Sequence, residues 1–114
     1  MPCIEVKTSV KATKEQKNEL KARLGQDIRT IPGKSEAWLM VIIDDGLDVY
    51  FKGDGDTPAA FIEVKIYGHA SPEVFGALTG KITDAVHDVF AIDSGRVYVK
   101  YEEVENWGFN GSNF

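Results

Sequence analysis

The tetrapeptide Ile-Glu-Val-Lys occurs twice in this chain, at Ile4–Lys7 and again at Ile62–Lys65, about half a chain length further on. Each copy alternates apolar and charged residues, as a half-buried β-strand does. Repetition at this offset indicates an internal duplication. We therefore predict one domain over residues 1–114, with repeats at roughly residues 1–44 and 59–102.

A helix signal follows each copy of the tetrapeptide. Thr13 with Gln16 three residues later is typical of a capping box, and Ser71 before Pro72 is typical of an N-cap followed by proline at the first helical position. Apolar residues then recur at helical spacing in both segments. In the first segment they are Leu20, Leu24, Ile28 and Ile31, and in the second Val74, Phe75, Leu78, Ile82, Val86, Val89 and Phe90.

A β-prone run follows each helix, at Ala37–Ile43 and at Arg96–Tyr101. Each half is therefore a βαβ unit, and right-handed crossovers place both helices on the same face of a joined sheet. The predicted fold is α+β: a duplicated βαβ with a four-stranded mixed sheet, two helices on one face and short extra strands. One extra strand is predicted at Leu47–Phe51.

The second predicted strand indicates an oligomer, because it is apolar on both faces. Two helices cover only one face of the sheet, whereas a strand that is buried on both sides needs cover on both. A further copy of the same chain is the simplest cover for the open face. One face would carry Trp38, Met40 and Ile42, and the other Leu39, Val41 and Ile43.

The repeated Glu-x-Lys also predicts a register for the two central strands if they pair in antiparallel fashion. Glu5 would then lie opposite Lys65, and Lys7 opposite Glu63. Opposite charges that face each other across a strand pair contribute roughly 0.2–1 kcal/mol each. The repeat would thus be self-complementary about a pseudo-twofold axis.

Composition argues against several classes of function. The formal net charge is −5 and the basic residues are dispersed, so we expect no nucleic-acid partner. One cysteine and two histidines predict neither a disulfide framework nor a metal site. The sequence has no membrane-length apolar run and no signal-peptide pattern. We therefore expect no membrane contact and a cytoplasmic location, with secretion without a signal peptide left open.

Pro2 is a candidate base. Once Met1 is removed, Pro2 becomes a secondary amine, and α-amino groups titrate at about 7.7–8.0, so desolvation or a nearby cation would make it neutral and basic. Lys34 lies in the loop at the same end of the predicted sheet and could supply that cation or bind a carboxylate. The alternatives are a proline tolerated at a strand start and an ordinary exposed lysine after a helix.

Four segments carry a family resemblance: Met1-Pro2, Pro32-Gly33-Lys34 before an apolar strand, Arg96-Val97-Tyr98, and the tail Asn106–Phe114. Together they resemble the macrophage migration inhibitory factor family of the tautomerase superfamily, over the full length of the chain. The resemblance implies a homotrimer of duplicated βαβ units with active sites between subunits. It also implies a cofactor-independent keto–enol tautomerase acting on phenylpyruvate-like or dopachrome-like acids.

The resemblance further implies roles for individual residues. Pro2 would be the base and Lys34 would bind the carboxylate of an aromatic 2-keto acid, while Tyr98 would come from a neighbouring subunit. The remaining implied pocket residues are the apolar walls Phe51 and Phe114, together with Tyr67 and Lys100, which stand where the family often has isoleucine and asparagine.

Two other functions stay open at this point. The first is a cytokine-like protein that binds a receptor and keeps only a weak or vestigial tautomerase site. The second is hydration or dehalogenation of unsaturated acids, which usually calls for extra Arg and Glu groups near the proline, with Arg29 and Arg96 as the only nearby candidates. Turnover of phenylpyruvate would distinguish an active tautomerase from the cytokine-like protein.

Overall fold

Two βαβ units lie side by side and join through their first strands in the computed structural model, which describes residues 1–114. The first unit consists of β1 (Pro2–Thr8), α1 (Lys14–Asp27) and β2 (Met40–Asp44), and the second of β3 (Ala60–Tyr67), α2 (Pro72–Phe90) and β4 (Val97–Val104). The sheet order is β2-β1-β3-β4, parallel within each unit and antiparallel between β1 and β3. The predicted α+β fold with a duplicated βαβ and a four-stranded mixed sheet is confirmed.

Both predicted helix starts are confirmed. The Thr13 hydroxyl accepts a hydrogen bond from the Gln16 backbone N–H at 3.1 Å, and the Gln16 side chain accepts one from the Thr13 N–H at 2.9 Å. The Ser71 hydroxyl accepts from the Val74 N–H at 3.2 Å. Each bond satisfies a backbone donor that has no partner inside the helix.

The core lies between the two helices and one face of the sheet. The isoleucine and valine of each repeated tetrapeptide are buried there against the apolar stripes of α1 and α2. Their glutamates and lysines lie on the other face of the sheet, which no helix covers. Burial of each such aliphatic side chain contributes about 1.5–3 kcal/mol, so the alternation in the tetrapeptide decides which face receives the helices.

The predicted β1–β3 register is wrong by two residues. Glu5 lies opposite Glu63, and Lys65 lies opposite Cys3. The expected ion pairs form diagonally instead: Lys65 Nζ lies 2.8 Å from Glu5 Oε1, and Lys7 Nζ lies 3.6 Å from Glu63 Oε2. A shift of two residues leaves every side chain on its own face, and long side chains reach diagonal neighbours, so the pattern alone does not select between these registers.

Two other predicted strands also require correction. Ala37 and Trp38 belong to a 3₁₀ turn at Glu36–Trp38, so β2 begins only at Met40. The segment Leu47–Phe51 forms no strand, because Gly46 and Leu47 donate to the carbonyls of Val10 and Thr8 and hold the chain across the end of β1. The short extra strands are instead a hairpin near the chain end, β5 (Gly108–Phe109) and β6 (Ser112–Asn113). No helix combines the length and the apolar character needed to cross a membrane.

Candidate active site

A tight turn places Lys34 at the end of the sheet where β1 begins. The Lys34 N–H donates to the Ile31 carbonyl at 3.1 Å, Pro32 occupies the second position of the turn, and Gly33 has φ of +82°. These are the features of a type II turn, which requires a positive φ at its third residue. The turn directs the Lys34 side chain onto the sheet, where its Nζ donates to the Tyr67 carbonyl at 2.9 Å.

The N-terminus lies beside this lysine. Pro2 is buried and pairs with Ile66, and the Tyr67 N–H donates to the Met1 carbonyl at 3.0 Å, which extends the β1–β3 pairing to the chain end. Burial lowers the pKa of the Met1 amine to about 6, aided by a hydrogen bond from Lys34 and by the charge of that lysine. This end of the sheet therefore favours a neutral amine, which is the form that acts as a base.

Aromatic rings surround the same point. A cavity of about 270 Å³ is lined by Met1, Gly33, Trp38, Tyr67 and Phe114. Successive ring centroids are 5.4 Å apart from Trp38 to Phe109, 6.3 Å from Phe109 to Phe114 and 5.6 Å from Phe114 to Tyr67. These four residues form an aromatic rim that fits a planar apolar group, with Lys34 available for an anion.

The terminal hairpin positions two of these rings. Its turn residues Asn110 and Gly111 have φ of 52° and 87°, as a type I′ hairpin turn requires. The Phe114 N–H donates to the Trp107 carbonyl at 3.1 Å and ties the last residue back to the start of the hairpin. A second cavity, of about 520 Å³, borders Pro2 and Cys3 and reaches Trp107 and Phe109.

The structure separates the predicted site residues into two groups. Pro2, Lys34, Tyr67 and Phe114 lie at one end of the sheet. Tyr98 pairs with Phe61, five residues along β3 from the Ile66 that pairs with Pro2, which corresponds to about 17 Å of strand.

The second group consists of Tyr98, Phe51 and Lys100. The Phe51 ring packs edge-on against Tyr98, with centroids 5.2 Å apart. Lys100 lies next to Glu63 in the sheet, and its Nζ is 3.0 Å from Glu102 Oε1. Within one chain, therefore, these three residues do not reach Pro2.

Sequence reasoning missed the contribution of Trp38 to the rim, because a β-prone run assigned this residue to a strand. Ser35 followed by Glu36 was the available signal, since this pair is typical of a helical turn start. The two candidate arginines do not join the site. Arg29 donates to Gln26 on the exposed side of the first helical segment, and Arg96 lies at the far end of the sheet. No three His, Cys, Asp or Glu side chains converge to hold a metal ion.

Comparisons with known proteins agree with this architecture. A family model described as macrophage migration inhibitory factor matches residues 1–114. The crystal structure of Leishmania major MIF2 superposes with a TM-score of 0.93 at 30% identity, covering 100% of this chain and 97% of that one. The macrophage migration inhibitory factor of Toxoplasma gondii superposes with a TM-score of 0.91 at 20% identity, covering 98% and 99%.

A third structure, of a protein inactivated by 2-oxo-3-pentynoate, superposes with a TM-score of 0.85 at 19% identity, covering 96% of this chain and 93% of that one. No curated protein matches the sequence. The family match covers the whole chain, and the Leishmania relative shares the fold from end to end. This chain therefore belongs to the macrophage migration inhibitory factor family, within the tautomerase superfamily.

Proposed function

We propose that this protein is a cofactor-independent keto–enol tautomerase of aromatic 2-keto acids, with Pro2 as its general base. The observation that carries the proposal is the environment of the N-terminal amine, whose pKa is lowered by burial and by Lys34. Removal of Met1 gives Pro2 a secondary amine at this end of the sheet. Such an amine is largely neutral at physiological pH and accepts a proton there.

The reaction uses few groups. The Pro2 nitrogen takes a proton from carbon 3 of the keto acid, the electrons of that C–H bond form a C=C bond, and the C=O π pair moves to the oxygen. The oxygen takes a proton from solvent water, and the protonated Pro2 amine returns its proton to solvent. The charge of Lys34 holds the substrate carboxylate. The aromatic rim of Trp38, Phe109, Phe114 and Tyr67 receives the aryl ring.

The proposed enzyme is a homotrimer. Met40 is 62% exposed and Tyr98 is 61% exposed on the face of the sheet that the helices leave open, which favours cover by a further copy. A neighbouring subunit would bring Phe51, Tyr98 and Lys100 to the Pro2 of the next chain. The separation of Tyr98 from the level of Pro2 by about 17 Å of strand within one chain supports this shared site.

The structural neighbour that is inactivated by 2-oxo-3-pentynoate supports the choice of substrate class. That compound is a 2-keto acid, and the neighbour shares this fold. Lys34 would bind the carboxylate of phenylpyruvate, and the aromatic rim would contact its aryl group. Phenylpyruvate is therefore the first substrate to test.

Phenylpyruvate turnover by wild type and by Pro2→Gly tests the proposal, after an intact mass has shown that Met1 is absent. Pro2→Gly replaces the rigid secondary amine with a primary amine on a flexible residue, so kcat should fall, by at most the roughly 10²–10⁴-fold that a general base contributes. Pro72→Gly, at the first position of α2, is the matched control and should keep turnover. Equal rates for wild type and Pro2→Gly would contradict a specific role for the proline amine.

The alternative is a cytokine-like receptor-binding protein with a vestigial site. It predicts no turnover by processed wild type at any pH. That result would reject the enzymatic proposal and favour the binding protein.

A further inference from the structure

One arginine organises a loop that lies far from Pro2. Arg96 Nε donates to the Pro58 carbonyl at 3.0 Å, and its Nη atoms donate to the carbonyls of Phe51, Asp54 and Thr57 at 3.3, 3.0 and 2.9 Å. A single guanidinium thus satisfies four main-chain acceptors of the 51–58 loop. The Arg96 side chain is only 13% exposed.

The loop has little other support. Its only backbone pairing is the bridge between Phe51 and Asp54 across a turn in which Lys52 and Gly53 both have positive φ. The Asp54 carboxylate accepts from the Thr57 hydroxyl and from the N–H groups of Asp56 and Thr57, and these bonds lower its pKa to about 2. Asp54 therefore closes the loop on itself, whereas Arg96 fixes it to the sheet.

The anchored loop positions an aromatic pair. The guanidinium lies 5.3 Å from the centroid of the Phe51 ring, and that ring also packs edge-on against Tyr98. Tyr98 is only two residues after Arg96 in the chain, at the start of β4. The same side chain therefore fixes Phe51 both through its carbonyl and through its ring.

We infer that Arg96 is a positioning residue that acts across the subunit boundary, by holding Phe51 against Tyr98 as a wall of the neighbouring subunit's active site. This inference rests on the proposed function. Arg96 is too far along the sheet to touch a substrate at Pro2 of its own chain. Its planar fork of five N–H donors matches the four carbonyls, and a lysine ammonium with three donors on one atom does not reproduce that geometry.

The first test compares the phenylpyruvate kinetics of Arg96→Gln and Arg96→Lys with those of wild type. We expect KM to rise by roughly tenfold, the scale on which a misfit of one methylene acts in an apolar pocket. We expect kcat and its pH profile to stay unchanged, because Pro2 and Lys34 are untouched. A merely structural role would lower the active fraction, and hence the apparent kcat, and would leave KM unchanged.

Arg29→Gln is the matched control, since Arg29 is exposed and donates only to the Gln26 side chain. It should keep the wild-type KM. Melting curves identify any variant that fails to fold. If Arg96→Gln does not fold, Arg96→Lys, which keeps the charge, carries the same test.

Mixed trimers test the action across the boundary. Subunits with Pro2→Gly and subunits with Arg96→Gln are co-expressed with different tags, and trimers that hold both are purified. Each mixed trimer contains a site in which Pro2 of an Arg96→Gln subunit faces the intact wall of a Pro2→Gly subunit. We expect a kinetic phase with the wild-type KM to return. If mixed trimers show only the raised KM of Arg96→Gln, Arg96 acts within its own chain and the inference is wrong.

A readout without turnover separates the two proposals. 3-Phenylpropionate keeps the aryl and carboxylate groups but has no keto group, so its Kd reports on the pocket alone. We expect its Kd to rise in Arg96→Gln. In mixed trimers, the site that regains an intact wall should bind it with the wild-type Kd. If wild type binds it without turning over phenylpyruvate, the proposed enzyme fails while the wall is still tested. An unchanged Kd in both Arg96 variants would overturn the inference.

Discussion

At the scale of single residues, Lys34 connects the local backbone to the proposed chemistry. The turn at Ile31–Lys34 needs the positive φ of Gly33, and the hydrogen bond to the Tyr67 carbonyl fixes the lysine beside the N-terminus. From this position it lowers the pKa of the amine both by hydrogen bonding and by charge, in addition to burial. In the proposed enzyme one side chain would thus serve two purposes, since a cation that keeps the amine neutral also attracts an anionic substrate.

Lys34→Gln should shift the pH dependence of the enzyme. The Lys34 cation disfavours protonation of the Pro2 amine, so its removal raises the pKa of that amine. Only the neutral amine is a base, and the rising limb of kcat/KM against pH should therefore move to higher pH. KM for phenylpyruvate should rise as well, because the carboxylate loses its partner. Lys34→Arg keeps the charge and should keep the limb in place. A limb that does not move in Lys34→Gln would show that Lys34 does not tune the base.

At the scale of secondary structure, the sequence predicted the strands and helix starts that depend on local pattern. It did not predict the strand register, because several registers fit the same pattern. Alternation in the tetrapeptide identified β1 and β3 and their buried faces, and Thr13 with Gln16 identified the start of α1. The register was wrong because a two-residue shift preserves both faces. Trp38 was assigned to a strand because its β-propensity is high, whereas it lies in a 3₁₀ turn and forms part of the aromatic rim.

The terminal hairpin permits a test in which backbone strain alone is changed. Gly111 has φ of 87°, and a Cβ added there would meet no atom within 4 Å. Gly111→Ala should therefore strain the turn by about 1–2 kcal/mol without any clash. Because the hairpin positions Phe109 and Phe114, we expect KM for phenylpyruvate to rise.

Gly80→Ala in α2 is the control for the hairpin variant. An added Cβ there has equal space, but the backbone is helical, so Gly80→Ala should raise stability by about 0.5–1 kcal/mol and leave KM unchanged. Kinetics and thermal melting of both variants provide the comparison. An unaltered KM in Gly111→Ala would show that the hairpin does not shape the site.

At the scale of the whole molecule, Tyr98 and Pro2 lie at opposite ends of the sheet within one chain, and the proposed site therefore needs a second subunit. The sequence predicted that Pro2 and Lys34 lie together, because Pro2 and the Pro-Gly-Lys turn map to the same end of a βαβ unit. It indicated an uncovered face through a strand that is apolar on both sides. It did not indicate how Phe51 and Tyr98 are arranged. Arg96 fixes the 51–58 loop by hydrogen bonds to main-chain carbonyls, and every loop sequence has such carbonyls.

Ile42→Glu should couple assembly to activity. Ile42 is on the open face of β2 and is 41% exposed, so a single folded chain tolerates a carboxylate there. In a trimer the same carboxylate would be buried without a partner, and such burial costs several kcal/mol. We expect sedimentation to show monomers and phenylpyruvate turnover to be lost, with the helical circular dichroism signal retained. Ala22→Glu places the same charge on the exposed side of α1 and should leave both properties unchanged. An active Ile42→Glu monomer would contradict the shared site, since one chain cannot bring Tyr98 to its own Pro2.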